Sequence, residues 1–540
     1  MGVMQTTKDP SSQASGQDPL GHALEESVPA SERHSFGQYF TPSALVALVL
    51  ELVEAPAGAQ ARVLEPACGS GRFLLAARER WALTGAQLHG FETDPLALAA
   101  AREQLKDVSI LEQDFLDAEP AADFCRVIGN PPYVRDRGRG RDLYADFIER
   151  SIAQLREGGR LALVLSNSWL DVDYGRAVRA NLMDTCALEW IVESTAERWF
   201  REARVNTMIL VARRCSDTSE RAKQQVRFAQ VREPLPASPQ VLRKVPQNGL
   251  TARESWGPYL RAPEKFFSVR SGQSAVPLVA LGEQAKLNRG FTTNDNSFFY
   301  PPTGSGIEER YLRPLLKSPK RVAGLRRTAS SLPEQVFFCE KSRAELLELG
   351  DLGALAWIDA HRPSLSKSSW ALPPQEASRL FLVKGTSDRF RQPLFDVPVF
   401  ADQQLYSVRC AGGQTHEQAL AALLNSSWCK LSIEMAGRVN FGDGVLWLAL
   451  RDAREKILLP DLRLLDEAQI AGLVAALAAF PEQAVPSLCA IPDETSSAWW
   501  RAQERLDEQV GVLLGLSSDE QVELRLDLLE RCRIRLKMAS

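Results

Sequence analysis

The chain has 540 residues, of which 45% are hydrophobic and 24% charged, and its formal net charge at pH 7 is −4. It is long enough for about two to four domains with buried cores, and its acidic balance means that any surface for a polyanion must be a local cluster of basic residues. No apolar run is long enough for a membrane-spanning helix, and the nine scattered cysteines, none in a Cys-x-x-Cys pair, favour a reduced, cytoplasmic setting and argue against a metal site.

Residues 1–34 are polar and lack the apolar core of a signal peptide, which predicts a disordered tail. From 35 to about 230, short β-rich runs alternate with helical stretches, a pattern typical of a doubly wound α/β sheet. We expect seven strands, at 62–64, 88–91, 108–111, 127–129, 161–166, 188–192 and 206–212. We interpret the polar stretch 216–247 as a hinge, residues 231–463 as a mixed α+β domain and residues 464–540 as a helical region.

A turn of small residues comes after the first predicted strand. The strand ends at Glu65, and Ala67, Gly69 and Gly71 precede a helix. Small residues let the backbone approach a ligand closely, and the N–H groups at the start of a helix can point at it. Many α/β proteins have such a turn for packing alone, so it indicates a cofactor site only if later strand ends carry matching polar residues.

Acidic residues stand at the ends of the next two predicted strands. Glu92, followed by Thr93, is placed to accept hydrogen bonds from both hydroxyls of a ribose. Asp114 is placed to accept from an adenine amino group, while Phe115 covers the ring. Singly, each acid fits a capping or surface role better. Their order at successive strand ends favours a nucleoside cofactor, and the absence of a complete phosphate-binding glycine motif argues against a phosphate-bearing cofactor.

Asn130, Pro131, Pro132 and Tyr133 come directly after another predicted strand. An aromatic amino nitrogen is a weak nucleophile because its lone pair is delocalised, and two acceptors on its hydrogens can localise that pair. Asn130 offers its side-chain oxygen and Pro131 its carbonyl, while the prolines stiffen the loop and Tyr133 offers a face for stacking. A proline-rich turn is the structural alternative. Methylation at a pyrimidine carbon needs a cysteine nucleophile, and no Pro-Cys pair occurs.

The ordered motifs from about residue 36 to 463 resemble those of the amino-methyltransferases, specifically the gamma-class, TaqI-like N6-adenine DNA methyltransferases. The resemblance implies that S-adenosyl-L-methionine is the cofactor, bound by Thr41, Glu65, Ala67, Gly69, Gly71, Glu92, Thr93, Asp114, Phe115, Asn130 and Pro132. It also implies that Phe200, in a looser motif at 198–207, packs on a flipped adenine opposite Tyr133. Trp199 is a rival for that role.

The order of the motifs leaves no room for a recognition domain between cofactor and catalytic residues. The resemblance therefore implies a catalytic domain at 35–230 and a DNA target-recognition domain at 231–463. Basic clusters suggest where DNA is contacted, although a solvated charge run is an equal alternative for those in the second half. The candidates are Arg135, Arg137, Arg139, Arg141, Arg289, Lys320 and Arg321.

The leading hypothesis is a site-specific methyltransferase that modifies a flipped adenine in double-stranded DNA within a restriction–modification or related defence system. A separately encoded restriction endonuclease is a plausible partner. Two alternatives remain. Methyltransferases of a protein glutamine or an RNA base amine share the tetrapeptide but usually lack a recognition domain of this size. A non-catalytic DNA-binding subunit of a defence assembly would not need the complete tetrapeptide.

Overall fold

The computed structural model describes residues 20, 40–133, 135–136, 141–200, 206–362, 370–373, 375–439, 444–490, 493 and 496–539. The side chains at 135–136 and 141–142 lie outside this description, and so does the predicted tail 1–34 except for residue 20. The chain divides into two compact units, Met1–Arg261 and Ala262–Ser540.

The first unit is built on a nine-stranded sheet and a separate two-stranded sheet. Its strands are β1 Val63–Glu65, β2 Leu88–Glu92, β3 Ser109–Glu112, β4 Phe124–Gly129, β5 Arg135–Asp136, β6 Arg141–Asp142, β7 Leu155–Ser166, β8 Cys186–Ser194, β9 Thr207–Arg214, β10 Gln225–Val231 and β11 Gln240–Pro246. The order in the large sheet is β11-β10-β8-β9-β7-β4-β1-β2-β3, and β5 pairs with β6.

The helices of this unit are α1 Ser43–Glu51, α2 Arg72–Trp81, α3 Pro95–Gln104, α4 Leu143–Gln154, α5 Gly175–Thr185, α6 Thr218–Lys223 and α7 Gly257–Arg261. Alternation along β7 shows why both faces are covered. Leu161, Leu163 and Leu165 belong to a cluster with α4 and α5, whereas Ala162 and Val164 belong to one with α1, α2 and α3. Successive side chains of a strand point to opposite faces, so the sheet is buried on both sides.

Strands β1, β2, β3, β4 and β7 run parallel, and β9 is antiparallel to its neighbours β7 and β8. The chain moves outward from β1 through β2 and β3 on one side and through β4 and β7 on the other. The strand order therefore reverses between β1 and β4. In open α/β sheets, ligands bind outside the carboxyl ends of the strands at such a reversal.

The α/β prediction is confirmed, but the predicted count of seven strands is wrong. All seven predicted strands lie in the sheet, and β10 and β11 extend it at the side of β8. Both lie in the stretch that we interpreted as a hinge. The outermost strand, β11, is largely exposed and carries Arg243, Lys244 and Pro246, so its sequence lacks the apolar run that identifies a buried strand.

The boundary predicted at 230/231 falls at the end of β10, whereas the compact unit extends to Arg261. Two sets of contacts explain the difference. Gln230 Nε2 donates to the carbonyl of Leu260 at 2.7 Å. The Arg261 guanidinium, which is largely buried, pairs with Asp171 at 2.7 Å and with Glu193 at 3.1 Å.

The second unit is a mixture of short strands and helices. Its strands are β12 Leu278–Ala280, β13 Ala285–Arg289, β14 Leu312–Leu316, β15 Arg326–Arg327, β16 Gln335–Phe337, β17 Ser378–Val383, β18 Gly385–Thr386, β19 Leu394–Ala401, β20 Leu405–Cys410, β21 Arg438–Val439, β22 Leu446–Trp447 and β23 Leu458–Pro460. Its helices are α8 Glu264–Ser268, α9 Leu281–Gln284, α10 Asn296–Phe299, α11 Arg343–Leu349, α12 Leu352–His361, α13 Gly413–Asn425, α14 Ser427–Ala436, α15 Leu450–Glu455, α16 Glu467–Ala478, α17 Ser497–Leu514 and α18 Ser518–Lys537.

The main sheet of this unit has the order β13-β20-β17-β19-β14-β16, with β15 paired to β19. Leu287, Leu380 and Val408 on one face share a hydrophobic cluster with α13, α14, α16, α17 and α18. The predicted helical region at 464–540 therefore packs as part of the second unit and not as a separate domain. No helix in the described part of the chain is long and apolar enough to cross a membrane.

A buried ion pair fastens the last helix. The side chains of Arg535 on α18 and Glu434 on α14 are both 3% exposed, and the guanidinium donates from Nη2 to Glu434 at 2.7 Å. It also donates to the carbonyl of Ser387 at 2.6 Å and to that of Gly444. These bonds compensate for the removal of both charges from water.

Replacing Arg535 with methionine is expected to destabilise the chain by about 3–5 kcal/mol, because Glu434 is left as a buried charge without its partner. Thermal unfolding of the full chain measures this effect. Arg451→Met is the control: Arg451 is 60% exposed in its pair with Glu455, and it should cost no more than about 0.5 kcal/mol. Adding Glu434→Leu to Arg535→Met should restore part of the loss. Equal midpoints for the single variant and the control would contradict this account.

Candidate active site

The turn between β1 and α2 depends on two glycines in the left-handed region. Gly69 has φ +53° and Gly71 has φ +90°. A Cβ on Gly71 would lie 2.7 Å from Leu105 Cδ1, whereas one on Gly69 would meet no described atom within 4 Å. Gly71 is therefore required by conformation and packing, and Gly69 leaves space beside the turn that a ligand can enter.

The carboxylate of Glu92 holds this turn to the end of β2. Its Oε2 accepts from the Gly69 N–H at 2.7 Å, and its Oε1 accepts from the Thr93 and Asp94 N–H groups at 2.8 Å each. Burial raises the pKa of Glu92, although the three N–H groups act in the opposite direction. A carboxylate has about four acceptor positions. In this arrangement roughly one remains for a ribose hydroxyl, where the sequence predicted two bonds.

Asp114 and Phe115, which follow β3, are only partly arranged as the sequence predicted. Asp114 is exposed, and its Oδ1 accepts from the Leu116 N–H at 2.9 Å. Phe115 is 1% exposed and packs against Phe91 and Phe147, with ring centroids 5.4 and 5.5 Å apart. The structure thus leaves Asp114 accessible but places the Phe115 ring in the core, where it presents no open face to a cofactor.

Glu65 lies where β1 meets β4. It is the last residue of β1 and is 2% exposed, and a Cβ on Gly129, the last residue of β4, would lie 3.3 Å from Glu65 Cγ. Ala67 comes next in the turn and is half-buried. These positions place the glycine turn next to the start of the tetrapeptide, at the reversal of strand order.

Asn130 is held at both ends of its side-chain amide. Its Nδ2 donates to Thr41 Oγ1 at 3.0 Å, and its Oδ1 accepts from the hydroxyl of Tyr133. Thr41 lies just ahead of α1 and is 7% exposed. The structure therefore brings Thr41, a predicted cofactor residue, to the tetrapeptide, although Thr41 and Asn130 are 89 positions apart in sequence.

The ring beside Tyr133 is that of Phe200. Their centroids are 6.1 Å apart with an interplanar angle of 77°, an edge-to-face contact. Tyr133 is half-buried, and Phe200 is 6% exposed in the cluster that also contains Trp199. Phe200 thus contacts the tyrosine of the tetrapeptide directly, and this contact favours Phe200 over Trp199 as the second aromatic.

Sequence reasoning missed Arg72. It is the first residue of α2, it is 9% exposed, and its Nη1 donates to the carbonyl of Thr41 at 2.7 Å. A cation at the N-terminus of a helix is electrostatically unfavourable, so an arginine there requires a specific partner. That position in the sequence was the available signal.

The structure places only some of the predicted DNA contacts, and their role stays a prediction. Arg137 and Arg139 lie outside the described residues, and Arg135 and Arg141 lie on β5 and β6 with undescribed side chains. In the second unit, Lys320 is exposed, Arg289 ends β13, and Arg321 pairs with Glu334 at 2.7 Å.

The second unit also contains a basic row that the sequence did not reveal. Lys286, Arg409 and Arg379 lie side by side on β13, β20 and β17, and they line a cavity of about 460 Å³. Glu376 pairs with Lys286 at 3.3 Å and with Arg409, and Glu417 pairs with Arg379 at 3.6 Å. The row is therefore only partly neutralised. Among the described residues, no group of three or more His, Cys, Asp or Glu could hold a metal ion.

Residues 16–254 match the model of the family described as N-6 DNA Methylase. This segment contains the glycine turn, the tetrapeptide with Tyr133, and Phe200.

Three relatives are type II methyltransferases. The chain is 28% identical to M.XamI of Xanthomonas campestris pv. amaranthicola over 336 residues, which cover 56% of this chain and 59% of the relative. It is 37% identical to M.TthHB8I of Thermus thermophilus over 169 residues, covering 27% and 38% of the two chains. It is 26% identical to M.AccI of Acinetobacter calcoaceticus, covering 55% and 59%. The chain thus spans less than two thirds of these relatives.

Among solved structures, the type IIG restriction endonuclease BpuSI is 14% identical, with a TM-score of 0.42. The alignment covers 100% of this chain and 67% of that one.

The raised pKa of Glu92 predicts a pH dependence of stability. A carboxyl whose folded-state pKa is raised binds a proton more readily when folded. Stability from this group therefore falls as pH rises from the ordinary glutamate pKa to the raised one, and it is constant above that window. Thermal unfolding is measured for the wild type and for Glu92→Gln across this range. The free energy of unfolding of the wild type, relative to that of the variant, should decrease as pH rises. A difference that is independent of pH, or that increases, would contradict the assignment.

Proposed function

We propose that this protein is a site-specific DNA methyltransferase of the gamma, TaqI-like class, which transfers the methyl group of S-adenosyl-L-methionine to the N6 amino group of a flipped adenine in duplex DNA. The observation that carries the proposal is the position of Asn130. Its amide is held between Thr41 and Tyr133 at the carboxyl end of β4, directly beside the glycine turn after β1.

The first unit has the features that such a cofactor needs. Gly69 leaves space beside the turn, Glu92 retains an acceptor position for a ribose hydroxyl, and the exposed Asp114 can accept from an adenine amino group. When bound, the cofactor supplies a methyl group on a sulfonium. Transfer of this group releases a neutral thioether, a good leaving group, and needs neither a metal nor a general base.

The chain's own residues act on the nucleophile. Asn130 Oδ1 and the carbonyl of Pro131 accept the two amino hydrogens of adenine and localise the lone pair of the nitrogen. In the structure Asn130 Oδ1 accepts from the Tyr133 hydroxyl, and a base amine would take over that position. The amino proton passes to solvent after the methyl group is attached.

The two aromatic residues account for how a base can remain outside the duplex. Flipping costs a few kcal/mol, and stacking on an aromatic ring contributes about 1–3 kcal/mol per base. Tyr133 is bonded to Asn130 and is in edge-to-face contact with Phe200, and these two rings are our candidates for stacking on the base.

The second unit favours DNA over a protein glutamine or an RNA amine as the substrate. Residues 262–540 form a compact unit of their own, with the exposed Lys320 and the basic row across β13, β20 and β17. We infer that this unit recognises the target sequence. The relatives are type II methyltransferases, which supports a place in a restriction–modification or related defence system with a separate endonuclease.

Asn130→Ala is expected to lower the methylation rate by about 10²- to 10³-fold, because it removes an acceptor pre-organised for the transition state. Binding of duplex DNA should change little, and the rate is measured at saturating S-adenosyl-L-methionine because Asn130 is also an expected cofactor contact. Transfer of labelled methyl groups to unmethylated plasmid, followed by digestion and mass spectrometry of the nucleosides, gives both the rate and the modified base. Asn248→Ala, at an exposed asparagine, is the matched control and should act as the wild type does.

The same assay distinguishes the alternatives. N6-methyladenine in the product supports the proposal. A folded wild-type protein that binds S-adenosylhomocysteine but leaves DNA of varied sequence unmodified would reject it, and methylation of RNA or of a protein glutamine would assign the site to the corresponding alternative.

Contacts to DNA phosphates can be counted from the dependence of affinity on salt. Each lost contact should reduce the slope of log K against log salt by about 0.9. We expect such a reduction for Lys320→Gln and about twice as much for Lys286→Gln combined with Arg409→Gln. Fluorescence anisotropy with labelled duplex gives the slopes, and Arg451→Gln provides an exposed control in the same unit. If the slopes of log K against log salt equal that of the control variant, these residues do not contact DNA phosphates.

A further inference from the structure

We propose that Arg72 is a positioning residue for methyl transfer and that it sets the orientation of Asn130 through Thr41. This inference rests on the proposed function, because it concerns the efficiency of the same reaction. Arg72 lies outside the glycine turn and outside the tetrapeptide.

Arg72 connects the turn to the loop ahead of α1. It comes directly after Gly71, the last glycine of the turn, and its Nη1 donates to the carbonyl of Thr41 at 2.7 Å. Its guanidinium also lies 5.9 Å from the centre of the Phe40 ring. Arg72 is 9% exposed and stands at the start of a helix, where burial and the helix dipole both disfavour a cation, so its bond to the carbonyl of Thr41 compensates for an otherwise unfavourable position.

Thr41 passes this restraint to Asn130. The carbonyl of Thr41 is held by Arg72, and its Oγ1 accepts from Asn130 Nδ2 at 3.0 Å. With Thr41 7% exposed, its backbone and side chain are both enclosed. A shift of the Thr41 backbone would therefore move the hydroxyl to which Asn130 is bonded.

The orientation of the Asn130 amide matters because its two ends have nearly the same shape but opposite hydrogen-bonding character. The proposed reaction needs Oδ1 towards the base. With Nδ2 bonded to Thr41, Oδ1 is directed to the side where Tyr133 donates to it. A rotated amide would present hydrogens to the amino group of adenine and repel it.

These contacts form one continuous connection from Arg72 through Thr41 to Asn130. Because Arg72 begins the helix after the glycine turn, displacement of the turn would be transmitted to the catalytic amide. The expected consequence is that loss of Arg72 impairs the transfer step more than it impairs binding of either substrate, since misplacement by about 1 Å can cost on the order of 10²-fold in rate.

The test uses the full-length protein and five variants. Arg72→Met removes the donors and keeps the aliphatic stem, while Arg72→Lys keeps one donor. Thr41→Val removes the hydroxyl and keeps the shape, while Thr41→Ser keeps the hydroxyl. Arg80→Met, at an exposed arginine of the same helix, is the matched control. The probes are S-adenosylhomocysteine for cofactor affinity and an unmethylated duplex that the wild type modifies for the single-turnover rate and for KM.

We expect Arg72→Met and Thr41→Val each to slow single-turnover transfer at saturating S-adenosyl-L-methionine by about 10- to 100-fold, with KM for DNA within about 3-fold of the wild type. Kd for S-adenosylhomocysteine should stay within about 3-fold for Arg72→Met. Thr41 is itself an expected cofactor contact, so the affinity of Thr41→Val is measured separately from its rate. Arg72→Lys and Thr41→Ser should recover most of the rate. The double variant Arg72→Met/Thr41→Val should be no slower than the slower single variant, because both act through one connection.

The outcomes separate this inference from the proposed function. A wild type without DNA methylation rejects the proposed function and with it this inference. If the wild type methylates DNA and Arg72→Met is as fast as Arg80→Met, only the role of Arg72 is overturned. Multiplicative rate losses in the double variant, or a fall in rate that merely tracks lost cofactor affinity, would also overturn it. If Arg72→Met does not fold, Thr41→Val against Thr41→Ser decides the link to Asn130: equal rates overturn the inference, and a slow Thr41→Val rescued by Thr41→Ser supports it.

Discussion

The carboxylate of Glu92 accepts hydrogen bonds from three backbone N–H groups, and these bonds hold together the loops after β1 and β2 at the carboxyl edge of the sheet. Parallel strands end in loops whose N–H groups have no partner in the sheet, and a buried loop cannot leave them unsatisfied. Glu92 takes one N–H from the turn after β1 and two from the loop after β2. This fixes the turn relative to its neighbour, and with it the start of α2. The positions of Arg72, Thr41 and finally Asn130 depend on where that helix begins.

Much of the first unit could be predicted from local pattern. Strands buried on both faces are short, nearly continuous apolar runs, so β4, β7 and β9 were visible in the sequence. The two additional strands were not predicted. β11 is exposed and polar along much of its length, and β10 has Gln225, Arg227 and Gln230 among its apolar residues, so neither is a continuous apolar run. The extent of the unit depends on the buried pairs of Arg261, which join residues about 70 to 90 positions apart. No local pattern records such a contact.

The site shows the same division between local and distant information. The ends of parallel strands meet at one edge of a sheet, so the spacing of Glu65, Glu92 and Asn130 sufficed to predict that they lie near one another. Thr41 and Phe200 were placed by family resemblance, and the structure brings both to the tetrapeptide. Phe115 was expected to face a cofactor but is enclosed by Phe91 and Phe147. Which face of an aromatic residue stays open is decided by side chains from other elements.

The outermost strand of the first sheet has a consequence for how the protein behaves in concentrated solution. An unpaired strand edge is a template on which other chains can add, and this is a common route to aggregation. On β11, Arg243 and Lys244 place like charges along that edge, and Pro246 ends it with a residue that has no N–H to offer. A second copy approaching edge to edge would meet charge repulsion and a missing donor. The polar residues that kept β11 from being predicted as a strand thus also protect this edge of the sheet against the addition of further strands.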